Sequence, residues 1–206
     1  MIYGERPKQY RSLVRQTEPA VEPVSVSEAK QHLRVDTSDD DTYIGTLITA
    51  ARQWAEEYLD RTLVSTQWAM RLDAFPYEIE LPRPPMSRSG TTTATEVTYT
   101  ISDSQTTTTL STSEYRVDRE ATPGVIRNLY GQSWPSYLSD QNSITVRWWG
   151  GYGATGSDIP AAIRHGILMH LAHLYERRLA VDTMATNEVP FGVKALYDSQ
   201  KWGQYK

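Results

Sequence analysis

The hydrophobic period of this chain changes twice, and few folds accommodate that. Between Asp41 and Arg61 the apolar residues Ile44, Leu47, Ile48, Ala51, Trp54, Ala55, Tyr58 and Leu59 recur at spacings of three and four, which places them on one stripe of a helix packed against a core. After Leu63 the spacing becomes two. Trp68, Met70 and Leu72 face one way, Ile79 and Leu81 follow before the Pro82-Arg83-Pro84-Pro85 break, and Val97, Tyr99 and Ile101 alternate inside a Thr-rich stretch. Tyr115 with Val117, Val125 with Ile126, and Ile144, Val146 and Trp148 supply further short strands, about five to seven in all. Helical spacing then returns with Ile163, Ile167, Leu171, Leu174 and Tyr175, broadened by Leu168 and Met169. The fold class this predicts is α+β: a helical body of two long helices, about 41–61 and 160–178, with short N- and C-terminal helices and an inserted antiparallel β subdomain.

Punctuation residues set the boundaries. Ser25 and Glu28 form a capping box ahead of a short helix that ends near Arg34. Asp158 is the expected cap of the second long helix, with Pro160 tolerated in its first turn. Residues 1–23 show no helical or strand period and read as an extended arm with Arg6, Lys8, Arg11 and Arg15 among prolines. At the other end, Val189-Pro190-Phe191-Gly192 reads as a hinge before a short helical pattern containing Val193, Leu196 and Tyr197. Trp202 and Tyr205 have little visible core to join. The expected organisation is an arm over 1–23, a helical body over 24–63 and 158–206 that includes a C-terminal docking segment, and a β subdomain over 64–157. Residues 1–23 and about 180–206 are expected to be mobile in the free subunit and ordered in an assembly. Neither carries enough periodic apolar surface to offset the 1–2 kcal/mol or so needed to fix each residue's backbone.

Composition removes several classes of function. With 206 residues the chain can bury a core unaided, and with no cysteine it has no disulfide framework, thiolate metal site or cysteine nucleophile. A net charge of −4 and a pI near 5.6 argue against a protein built to grip phosphates. No apolar run approaches the roughly 20 residues that span a bilayer, and the N-terminus lacks a signal-peptide core, so no membrane role is expected.

Three features invite an enzymatic reading, and each has a simpler one. Asp36, Asp39, Asp40 and Asp41 lack the glycine and closing glutamate of a calcium loop, and acidic residues at a helix start complement its dipole. Gly151-Tyr152-Gly153-Ala154-Thr155-Gly156 matches GxGxxG between a strand and a helix, but Asp158 and Pro160 put the helix start after the motif, away from any pyrophosphate. A Gly-rich join between subdomains explains the same residues. His165, His170 and His173 share one helix without a third ligand beside them, which favours surface or interface histidines over a metal. GxSxG, P-loop and HExxH motifs are absent from the sequence. No catalytic, cofactor-binding or metal residue is therefore assigned, and no cofactor is expected.

The ordered set of segments resembles the head-to-tail connector (adaptor) proteins of long-tailed bacteriophages and the related adaptors of gene transfer agents. The likeness is carried by Val24 to Asp36 (VSVSEAKQHLRVD), the Asp-rich start of helix two, and Ala50-Ala51-Arg52 with Glu56-Glu57-Tyr58 running into Arg61-Thr62-Leu63. Further on it is carried by Trp68, Leu72 to Pro76, Leu81-Pro82-Arg83, Val146-Arg147-Trp148, Gly151-Tyr152-Gly153, Ile159-Pro160 and Tyr175 to Arg178. The resemblance implies a non-catalytic virion protein in the neck between head and tail, present in the host cytoplasm during assembly. Its copies would form a homo-oligomeric ring of about twelve on the portal protein, with a stopper or tail-completion protein below and duplex DNA passing through the lumen without tight binding.

Six Trp and thirteen Tyr suit protein interfaces as well as a core. Arg177 and Arg178, at the end of the second long helix, are the candidate inter-subunit contacts, and capping of their own helix is the simpler alternative. Val189, Pro190, Phe191, Trp202 and Tyr205 are the candidate portal-docking residues. The competing readings are a stand-alone β-rich ligand-binding module and a nucleotide-binding enzyme using the glycine loop.

Overall fold

Ser25 starts the first helix as the sequence predicts: its hydroxyl accepts from the Glu28 backbone N–H at 3.1 Å, and the Glu28 carboxylate accepts from the Ser25 N–H at 2.8 Å. The computed structural model describes residues 10–87, 95–177 and 191–201. Helix α1 spans Val26–Leu33 and ends on Arg34 in the left-handed region. Helix α2 spans Asp41–Leu59, α3 Ala161–Glu176 and α4 Phe191–Asp198. The strands are β1 Ser12–Arg15, β2 Thr66–Leu72, β3 Ile79–Leu81, β4 Glu96–Thr100, β5 Thr107–Thr109, β6 Tyr115–Asp118, β7 Gly124–Asn128 and β8 Ile144–Gly150.

The chain divides into two units, one comprising the residues up to Glu18 with Ser65–Gly150, the other Pro19–Val64 with Gly151 onward. In the helical unit the predicted stripes of α2 and α3 meet. Ile44, Leu47, Ile48, Ala51, Ala55 and Leu59 bury against Ile163, Ile167 and Leu171, with Val24 and Ala29 joining from the α1 segment.

In the β unit two antiparallel sheets share one core. The five-stranded sheet has the order β1-β2-β8-β4-β5 and the three-stranded sheet β3-β7-β6. Trp68, Met70 and Leu72 of β2 stand opposite Trp148, Val146 and Ile144 of β8, so their alternation fixes the register as well as the face. Ile79, Leu81 and Ile126 of the smaller sheet close the same core.

Four expectations need correction. The segment expected as an extended arm without strand period contains β1, which pairs with β2 from Ser12↔Arg71 to Arg15↔Trp68 and is tied by the Arg11 guanidinium to Asp73. Four residues with one exposed valine are too short to show a period, and pairing with a long neighbour supplies the missing stabilisation. Asp158 does not cap α3. It closes a 3-10 turn over Gly156–Asp158, accepting from the Thr155 N–H at 2.9 Å, and Pro160 holds the N-cap position. The C-terminal segment does have a core to join, because Val193 and Tyr197 of α4 are fully buried against α2 and α3. The join Gly151–Ser157 belongs with the helices rather than with the sheets.

Candidate interaction surface

Arg52 organises one end of the helical unit. It sits on the buried stripe of α2 and is 2 % exposed, so its charge requires partners. Its Nε donates to Glu22 Oε2 at 2.8 Å and its Nη1 to Glu56 Oε2 at 2.9 Å. Burial alone would push the guanidinium pKa down, but the Glu22 hydrogen bond and the charges of Glu56 and Glu22 hold it above its ordinary value. Each carboxylate has a second duty. Glu22 Oε1 accepts from the Thr49 hydroxyl at 2.9 Å, and Glu56 Oε1 accepts from the Leu63 N–H at 3.0 Å. The network thus ties the segment before α1 and the turn after α2 to one helix.

Arg164 of α3 reaches the same segment, donating to the Pro23 carbonyl at 3.2 Å and to Glu28. A cleft of about 490 Å³ opens beside it, lined by Pro23, Val24, Gly45, Ile48, Gly156 and Arg164 among others.

From another face of the same stretch of α2, aromatic rings clamp α4. Trp54 and Tyr58 of α2 stack at 4.9 Å, and Trp54 meets His170 edge-on at 4.9 Å and Tyr197 at 5.8 Å. Tyr197 fits because residue 166 is glycine: a Cβ there would lie 2.4 Å from the tyrosine ring. Polar contacts continue beyond the helix. The Tyr58 hydroxyl donates to Asp198 at 2.6 Å, Arg61 Nε donates to the Gln200 carbonyl at 2.7 Å, and the Lys201 ammonium lies 4.5 Å from the Tyr58 ring centre. These contacts hold the residues after α4 against the end of α2.

Sequence reasoning placed the histidines at a surface or an interface, and His170 instead lies inside the helical unit. It is buried, and burial, with His173 nearby, pushes its pKa down to about 4. The signal was present in the sequence, because 163, 167, 170, 171 and 174 form one stripe. The consequence for stability has a definite sign. Above about pH 6.5 both folded and unfolded chains hold His170 neutral, and stability is complete. As the pH falls toward 4 the unfolded chain gains a proton that the folded chain refuses, costing about 3 kcal/mol in total. Urea unfolding from pH 7.5 to 4 should show this loss, and His170→Leu should remove that part of the slope. Superimposable profiles for the two proteins would refute the assignment.

The glycine loop is occupied by the protein's own atoms. A Cβ on Gly153 would fall 2.2 Å from Asp158 Oδ2, and one on Gly156 would fall 2.4 Å from the Pro23 carbonyl oxygen. The Asp158 carboxylate, its pKa lowered by hydrogen bonds from the Thr155 backbone and hydroxyl, takes the N–H group that an anion would use. Among the described residues no group of three or more His, Asp or Glu side chains is arranged to hold a metal ion.

Of the residues assigned to interfaces, Arg177 is exposed at the C-cap of α3, its N–H donating to the His173 carbonyl at 3.2 Å. Phe191 is the first residue of α4. Arg178, Val189, Pro190, Trp202 and Tyr205 lie outside the described residues. The β unit presents two large side chains that sequence reasoning did not single out, Tyr77 and Tyr130, both almost wholly exposed. Both lie in connections between strands, where a lone tyrosine gives no periodic signal.

Comparison with known proteins gives the following. Residues 23–112 match the family of phage gp6-like head-tail connector proteins. No curated protein sequence matches the chain. Among solved structures, the fold is similar to a chain in the neck of an empty GTA particle computed with C6 symmetry, with 21% identity and a TM-score of 0.73, covering 92% of this chain and 95% of that one. It is similar to a chain in the virion of a native gene transfer agent particle, with 20% identity and a TM-score of 0.70 over 92% and 94% of the two chains. A chain in the neck of the native GTA particle computed with C12 symmetry has 21% identity and a TM-score of 0.67 over the same shares.

Proposed function

We propose that this chain, whose residues 23–112 match phage gp6-like head-tail connector proteins, is a structural connector in the neck of a tailed phage or phage-like particle. The observation that carries the reading is the match over α1, α2 and strands β2 to β5, joined to a likeness in fold, over nearly the whole chain, to chains of GTA necks and virions. In this reading copies form a closed ring on the portal protein, with a stopper or tail-completion protein on the far side. Duplex DNA passes through the lumen. A net charge of −4 per copy, repeated round a ring, repels phosphates and lets the duplex slide. No helix among the described residues is long and apolar enough to cross a membrane, which agrees with a particle component.

The helical unit supplies the rigid part of such a ring, because a closed ring needs one face of each copy to meet a different face of the next at a fixed rotation. Arg177 and Arg178 reach the neighbouring copy, and the C-terminal segment with Val189, Pro190, Phe191, Trp202 and Tyr205 reaches the portal. Since α4 belongs to the core, the informative truncation starts after Lys201. A chain ending at Lys201 should remain folded and lose docking to the portal, whereas one ending before α4 should lose stability as well. Cryo-microscopy of mixtures with the portal protein tests both parts. Copies bound singly without mutual contact would remove the ring, and normal docking of the chain ending at Lys201 would remove the role of Trp202 and Tyr205. An enzymatic reading has no comparable support, since Asp158 fills the loop it would need.

A further inference from the structure

The five-stranded sheet has two ends, β1 and β5, and among the described residues no strand lies beyond either. Each edge carries backbone N–H and C=O groups able to template another strand, and proteins usually guard such edges with charges, proline or a bulge. Here the guards are missing. The outer strand β5 is Thr107-Thr108-Thr109, uncharged and β-branched throughout. In β1 the one charged residue, Arg15, does not project from the edge: its guanidinium lies over the Trp68 ring at 5.0 Å. Its neighbour Val14 is 50% exposed.

We propose that the outer edge of β5 in one copy pairs with the outer edge of β1 in the next, so that the sheets of neighbouring copies join head to tail. This rests on the ring reading above, which makes a second copy of this chain the occupant of both edges. Strand direction makes the pairing specific. Four antiparallel pairings separate β1 from β5, so the two edge strands run the same way. A ring operator that rotates each copy by a modest angle keeps that sense, and the new pairing is parallel. A two-fold axis would instead pair β1 with β1 or β5 with β5, antiparallel, and would stop at a dimer. Only the mixed pairing repeats by a single rotation, as a cyclic ring requires, and closing the ring leaves neither β1 nor β5 as a free edge.

The register within one copy fixes which edge side chains share a face. Val14 stands opposite Ala69, Ala69 opposite Arg147, Arg147 opposite Glu96, and Thr98 of the same face opposite Thr109. Val14, Thr107 and Thr109 therefore project from the same face of the sheet, away from Trp68, Val146 and Val97 of the core. In the joined sheet they become neighbours.

The chain has no cysteine, so introduced thiols report without background. Particles assembled with the portal protein from Val14→Cys, Thr109→Cys and the double variant should be treated with a bismaleimide of about 8 Å reach. Within one copy the two edges lie four strand spacings apart, about 19 Å, beyond that reach. The double variant should give a ladder of covalent multimers on a denaturing gel, and each single variant should remain monomeric. Cross-linked dimers from a single variant would overturn the proposal in favour of two-fold pairing. A ring visible by cryo-microscopy without a ladder would overturn it and leave the ring standing, while absence of any ring would remove both. Both substitutions are at exposed or half-exposed positions, and circular dichroism of the free chains checks that they fold.

Discussion

Arg52→Ala is expected to lower the unfolding free energy by about 3–5 kcal/mol, the range for removing one member of a buried ion pair. The arginine lies between Glu22 and Glu56, and Glu56 is nearly as buried as Arg52 itself. Without the guanidinium, the Glu56 carboxylate loses its buried cationic partner, while its Oε1 still accepts from the Leu63 N–H. Arg52→Met should cost less if Glu56→Leu is made with it, because two apolar side chains of similar volume need no desolvation. Urea unfolding of the two single variants and the double variant closes a thermodynamic cycle. A loss below about 1 kcal/mol for Arg52→Ala would show that the network is not a principal tie of the helical unit.

Tyr197→Ala should have an effect of the same size, about 3–5 kcal/mol by analogy with other large buried rings. The ring occupies the slot over Gly166 and touches Trp54 and Tyr58, so its loss opens a cavity and leaves Val193 as the remaining fully buried side chain among the described residues of α4. Amide exchange in α4 should accelerate before the rest of the unit responds. Gly166→Val should reproduce the effect from the other side of the slot. Tyr197→Phe is expected to be neutral or stabilising, because the hydroxyl is buried with no hydrogen-bond partner among the described residues and burial already raises its pKa. A large loss in the Phe variant would mean that the hydroxyl, and not the ring, holds α4.

Both variants act on features with different visibility in the sequence. The stripe Ile44, Leu47, Ile48, Ala51, Ala55 and Leu59 repeats over nineteen residues of α2, long enough for the period to stand out. Arg52 interrupts that stripe as a polar residue, and nothing local reveals that Glu22, thirty positions earlier, returns to meet it. For α4, eight residues are too few for a period to outweigh the apparent lack of neighbours, and the neighbours are a glycine and two aromatics distant in sequence. His170 is the intermediate case: its place on the α3 stripe was legible, and its chemical character as a histidine obscured it.

The candidate surface divides the same way. The capping box at Ser25 and Glu28 depends on four consecutive residues and was readable in full. The glycine loop was readable as a poor dinucleotide site from where the helix begins, but the reason for its glycines was not. Gly153 and Gly156 make room for Asp158 and for the Pro23 carbonyl, and the second of these contacts joins residues more than a hundred positions apart.

The sequence by itself determined the helix-strand-helix order, the faces that α2, α3, β2 and β8 bury, and the likeness to head-to-tail connectors, because each depends on residues within a few turns or on an ordered series of local segments. Tertiary structure alone decided that residues 12–15 become a strand beside β2, that α4 is part of the core, and that β1 and β5 are the outermost described strands of one sheet. Those outcomes depend on which distant segment supplies a hydrogen-bond ladder or a slot, and a short segment carries no period that states its partner.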